Sequence, residues 1–127
     1  MKIVLDTNIF ILGFIGLSEG KETPETMILK DLLKKEKTLL LSRDIEEQLL
    51  RVFIRVKDKN FAGLMRHLLW SDYSIEFVIT EGKSSPPTYK KIIPRKDLCI
   101  FLTAYTGNAD MLITNDIPFL EKAKQCS

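Results

Sequence analysis

A chain of 127 residues, 45% apolar and 28% charged, is long enough for one buried core and ordinary in composition for a globular domain. Its net charge of +2 identifies no polyanionic partner, and two cysteines are too few for a disulfide scaffold. No apolar run approaches the roughly 20 residues of a membrane-spanning helix. The apolar stretch from Ile9 to Leu17 follows Asp6, Thr7 and Asn8 and has no small-residue cleavage site, so it does not read as a leader. The expectation is a single domain over residues 1–127, cytoplasmic and with no membrane partner. Cys99 reads as a buried helical cysteine and Cys126 as a tail residue.

In chain order, Lys2-Ile3-Val4-Leu5 predicts a short buried strand ending at Asp6, and residues 8–17 a helix that is apolar nearly all round. Ser18 to Thr23 is a polar loop. Pro24 then opens a helix capped by Thr23, which carries Met27, Ile28, Leu29, Leu32 and Leu33 and ends at Lys34-Lys35. Thr38 to Leu41 predicts a second strand. Ser42 caps a further helix whose first turn holds Asp44, Glu46 and Glu47 and whose apolar stripe is Ile45, Leu49, Val52 and Phe53. Phe61 to Trp70 predicts a helix with Leu64, Leu68 and Leu69 inward, and Ser74 to Thr80 a third strand. Glu81 to Pro94 reads as a polar loop, Asp97 to Tyr105 as a helix, Met111 to Ile113 as a fourth strand and Ile117 to Lys124 as a closing helix.

Strands alternating with helices imply an α/β domain with a mainly parallel central sheet flanked by helices. In such sheets the ligand crevice lies at the carboxyl ends of the strands. Asp6 and Asp116 follow strands, and Glu47 and Asp97 fall in first turns of helices that begin at that same edge. Four carboxylates in one crevice are unfavourable by themselves. Two unit charges about 4 Å apart repel by roughly 4 kcal/mol at an effective dielectric near 20, so such a cage calls for a cation. Carboxylates are hard oxygen ligands suited to Mg2+ or Mn2+. Taken singly, each acid has an ordinary alternative: Asp6 as a helix cap, Glu47 and Asp97 as first-turn acids, Asp116 as a turn residue.

Leu5-Asp6-Thr7-Asn8, Ser42 with its acidic helix start, Asp97 with Ile100 and Ala104, and Leu112-Ile113-Thr114-Asn115-Asp116 together resemble the PIN-domain nucleases, in the family's order and over essentially the whole chain. Within that family the chain is similar to the small single-domain toxins of toxin–antitoxin pairs, the VapC type. The resemblance implies a PIN-like (flavodoxin-like) fold and a metal-dependent endoribonuclease that hydrolyses RNA. Asp6, Asp97 and Asp116 would be the metal-ligating acids, supported by Asn8 and Thr114. The family often places a Glu directly before a Leu in the helix after Ser42, and here that slot is Gln48. Glu47, on the polar face opposite Ile45 and Leu49, is favoured over Glu46 as the second acid.

Among basic residues, Lys90, Lys91, Arg95 and Lys96 lead into Asp97 and are candidate contacts to a nucleic-acid backbone, with Lys83 nearby and Tyr89 able to stack a base. Lys34-Lys35 and Arg55, Lys57 and Lys59 read as solvated helix ends, and His67 as a structural or surface residue. Partners implied by the family are a cognate antitoxin and a second copy of the chain. The alternative is a catalytically silent PIN-like scaffold that binds RNA or protein, for which Gln48 gives room.

Overall fold

The computed structural model describes residues 1–34, 36–80 and 98–116. Strands and helices alternate in it: β1 (Lys2–Leu5), α1 (Thr7–Ser18), α2 (Pro24–Asp31), β2 (Thr38–Ser42), α3 (Arg43–Val56), α4 (Lys59–Asp72), β3 (Ile75–Val78), α5 (Leu98–Thr106) and β4 (Met111–Ile113). The four strands form one sheet in the order β3-β2-β1-β4, and every neighbouring pair is parallel. The α/β architecture read from the sequence is the one observed. The predicted loop from Glu81 to Pro94 and the closing helix from Ile117 to Lys124 lie outside the described residues.

Local chemistry explains the boundaries. Val4, Leu5, Leu39, Leu40 and Leu41 are fully buried, as expected of strands covered on both faces. The side chain of Thr23 accepts from Thr26 N, and Thr26 Oγ1 in turn accepts from Thr23 N at 2.8 Å, a reciprocal cap with Pro24 in the first turn of α2. Ser42 Oγ accepts from Ile45 N at 3.4 Å, and Thr103 Oγ1 on α5 donates to the same oxygen at 2.8 Å. Asp58 Oδ1 accepts from Phe61 N at 2.7 Å, so α4 begins earlier than the predicted Phe61.

The inward face of α4 also departs from the expectation. It is Ala62, Met65 and Leu69, spaced i, i+3, i+7, while Leu64 is 54% exposed and Leu68 only partly buried. Helical phase decides this. A residue one position before Met65 is turned by about 100° from the stripe that meets the core.

In the core, the Phe14 ring lies 6.1 Å from that of Phe53 and 6.2 Å from that of Tyr73. Tyr73 donates its hydroxyl to the Leu29 carbonyl at 3.0 Å, and burial pushes that hydroxyl up to about 12. Helices α1 and α2 approach closely at Gly13, where a Cβ would fall 2.9 Å from Leu29 Cγ and 3.1 Å from the Glu25 carbonyl oxygen. Among the described residues, no helix is long and apolar enough to cross a membrane.

Topology fixes where a site can be. From β1 the chain steps outward to β2 and β3, then returns to place β4 on the opposite side of β1. The carboxyl ends of β1 and β4 therefore bound the point where the winding reverses, the usual ligand crevice of an open parallel sheet. Leu5 pairs with Ile113, and Asp6 N donates to the Ile113 carbonyl at 2.9 Å. The residues that follow these two strands are thereby held side by side.

Candidate active site

Asp6 follows β1 and Asp116 follows β4, and both line one cleft of about 230 Å3 with Thr7, Asn8, Ile11, Gln48, Val52 and Arg55. Asp6 is the inner residue, only 5% exposed. Its Oδ2 accepts from Thr114 Oγ1 at 2.6 Å, and Thr114 Oγ1 in turn accepts from Asp116 N at 3.0 Å. Thr114 is thus a bridge whose single hydroxyl fixes both the first carboxylate and the backbone that carries the second. Burial, a short charge-assisted hydrogen bond and a backbone anchor together hold Asp6 to one orientation.

The ordinary alternative for Asp6, a helix cap, is not what the side chain does. Asp6 stands at the cap position of α1 with extended backbone, yet its carboxylate accepts no capping hydrogen bond. The first-turn amides are served by its backbone carbonyl, which accepts from Ile9 N at 3.0 Å and Phe10 N at 3.5 Å. Among the described residues Asp6 Oδ1 has no hydrogen-bond donor, and no Lys or Arg pairs with Asp6. A buried carboxylate oxygen without a partner is unfavourable unless a cation completes it. That chemistry fits a hard divalent ion.

Helix α3 presents its residues differently from the sequence expectation. Glu47 is exposed and accepts from Arg43 Nε at 3.0 Å, an i,i+4 pair, and it does not line the cleft. Glu46 turns to α4, where its oxygens accept from Arg66 Nε at 3.2 Å and Trp70 Nε1 at 2.7 Å. Gln48, with Val52 and Arg55, is what α3 brings to the cleft of Asp6. Its Oε1 accepts from Thr7 Oγ1 at 3.0 Å and from Cys99 Sγ at 3.6 Å. The two donors orient the carboxamide from both flanking helices. Cys99 is no competing nucleophile, since burial, with the Asp44 and Asp6 charges adding to it, pushes its thiol up to about 11.

Asp97 precedes the first residue of α5 and lies outside the described residues, as do Lys90, Lys91, Arg95 and Lys96. Asn8 is exposed at the cleft rim. Among the described residues no group of three or more His, Cys, Asp or Glu is arranged to hold a metal. Of the four acids expected at this edge, the described residues bring Asp6 and Asp116 to one cleft, with Thr114 hydrogen-bonded to both.

Two residues were missed as cleft residues. Gln48 carried a signal, since it occupies the slot directly before Leu49. Arg55 was read as a solvated helix end, yet it lines the cleft at i+7 from Gln48, which helical spacing alone would have shown.

The comparisons with known proteins agree on the fold. The family model described as PIN domain matches residues 2–118. The crystal structure of VapBC2 from Rickettsia felis bound to a DNA fragment from their promoter superposes with a TM-score of 0.67 at 22% identity, covering 95% of this chain and 92% of that one. No curated protein matches the sequence. With a family model spanning nearly the whole chain and the parallel sheet in place, the chain belongs to the PIN domain family, whose members are generally nucleases.

Proposed function

We propose that this chain is a metal-dependent endoribonuclease and the toxin component of a toxin–antitoxin pair. The observation that carries the nuclease reading is the buried Asp6 carboxylate, set by Thr114 beside Asp116, with one oxygen lacking a donor among the described residues. Asp6, Asp116 and Asp97 would hold Mg2+ or Mn2+. The chemistry such an ion supplies is charge compensation for the phosphodiester and acidification of water for attack on phosphorus. The chain's own contribution is positional. Thr114 keeps Asp6 in one orientation, Asn8 offers an amide at the cleft rim, and Gln48 contributes a neutral carboxamide from α3. Glu47 belongs to this proposal only as an acid outside the cleft lining, one turn from its Arg43 partner.

The toxin reading is supported by the likeness of the fold to VapBC2, and it implies two partners, a cognate antitoxin and a second copy of the chain. Lys90, Lys91, Arg95 and Lys96 remain proposed backbone contacts for the RNA.

A second reading, a silent scaffold that binds RNA or protein, is favoured by one observation: α3 lines the cleft with Gln48, Val52 and Arg55 and with no carboxylate. Cleavage of one structured and one unstructured RNA by purified protein separates the two, with Mn2+, Mg2+ or EDTA and with Asp6→Asn in parallel. Cutting that requires the metal and disappears in Asp6→Asn supports the nuclease. Folded protein that neither cuts nor binds Mn2+ supports the scaffold.

A further inference from the structure

We propose that Arg55 is a phosphate-binding residue of this cleft, holding the backbone of a single-stranded RNA to one side of the carboxylates; this rests on the ribonuclease reading. Gln48, Val52 and Arg55 recur at i, i+4 and i+7 on α3, and all three line the cleft with Asp6 and Asp116. Seven residues of helix separate Gln48 from Arg55 by about 10 Å along the axis. The guanidinium is thus rooted about two turns along α3 from Gln48, suited to a phosphate neighbouring the scissile one.

Charge makes the need specific. A cleft floored by Asp6 and Asp116 repels a polyanion, so a substrate strand needs a cation beside them to enter. Neighbouring cations are paired or lie off the cleft: Arg43 pairs with Glu47, Arg66 with Glu46, and Lys57 with Glu19 at 3.8 Å and the face of Phe61, while Arg51 is exposed outside the cleft lining. Arg55 is exposed and has no ion pair among the described residues. A guanidinium presents five donors in a planar fork that matches a phosphate bidentately, and it cannot lose its charge. The ordinary role for an arginine in the last turn of a helix is to complement the C-terminal carbonyls, which would act on stability alone.

The test measures binding of two unstructured RNA oligonucleotides of different sequence to the full chain in EDTA, over a range of salt concentrations. Arg55→Ala is compared with wild type, Arg55→Lys and Arg51→Ala, the last removing an exposed α3 charge that does not line the cleft. Arg55→Ala is expected to weaken both oligonucleotides equally, by about tenfold, and to reduce the slope of log K against log salt by about 0.7. Arg55→Lys should keep the slope and recover only part of the affinity, and Arg51→Ala should behave as wild type. In Mn2+ the Arg55→Ala defect should appear in KM and leave kcat nearly intact. Affinity and slope unchanged in Arg55→Ala, or an equal loss in Arg51→Ala, would overturn the assignment even where the wild type cuts RNA. A folded wild type that neither binds nor cuts RNA would overturn the ribonuclease reading along with it.

Discussion

Two carboxylates at opposite sides of α3, Asp6 and Glu46, are held in contrasting ways. Glu46 is supplied with its own counter-charge: Arg66 and Trp70 both donate to it from α4, and the three close a helix–helix contact. Asp6 is more deeply buried, but the protein gives it one neutral hydroxyl and, among the described residues, no cation. The first arrangement is complete in itself and serves packing. The second is complete only with something added, which is why the proposed metal site is built on Asp6 and not on Glu46.

The sharpest way to break that comparison is to neutralise each acid in turn. Asp6→Asn should reduce metal-dependent RNA cleavage by roughly 100-fold or more, while the metal-free protein unfolds at the same or a higher denaturant concentration because a lone buried charge has gone. A variant that loses both activity and stability would make Asp6 a structural acid like Glu46. Next in size, Thr114→Ala should lower activity or Mn2+ affinity about 10-fold or more, since it releases the orientation of Asp6 and the Asp116 amide together. Titration of Mn2+ with each variant would check this.

Gln48→Glu supplies the α3 side of the cleft with a charge. It should raise Mn2+ affinity several-fold and destabilise the metal-free protein by about 1–3 kcal/mol, because a third carboxylate would join Asp6 and Asp116 in a partly buried cleft. Unchanged Mn2+ affinity would show that α3 does not reach the ion. The smallest effect belongs to the other side. Glu46→Ala should lower stability by about 1–2 kcal/mol through the lost Trp70 and Arg66 contacts and leave cleavage unaltered.

The same contrast marks what the sequence could and could not disclose. Strand-end acids are legible because topology alone gathers them: Asp6 and Asp116 each follow a strand, and parallel strands share a carboxyl edge. The order of the strands was not legible, and with it the knowledge that β1 and β4 are neighbours. Helix acids demand the phase of the helix relative to its surroundings. The apolar stripe Ile45, Leu49 and Phe53 locates the core face of α3, and its opposite face, which holds Glu47, is solvent. The cleft lies on neither face but on a flank, where Gln48, Val52 and Arg55 stand. A two-sided view of an amphipathic helix has no place for that third direction. Leu64 was misassigned in α4 for the related reason that the adjacent apolar pairs Leu64-Met65 and Leu68-Leu69 fit two helical phases equally well.

The two halves of the cleft also rest on strands of unequal security. β1 is a central strand with neighbours on both sides, whereas β4 spans only Met111–Ile113, pairs on one side among the described residues and leaves Met111 exposed. Local opening should therefore begin at β4, and it would carry Thr114 and Asp116 away from Asp6 without disturbing the interior. The Asp6 amide, which donates to Ile113 across that seam, is the hydrogen whose exchange with solvent would time the event. Assembly of the cleft then becomes an equilibrium distinct from folding, and a bound ligand could draw it closed without altering the rest of the domain.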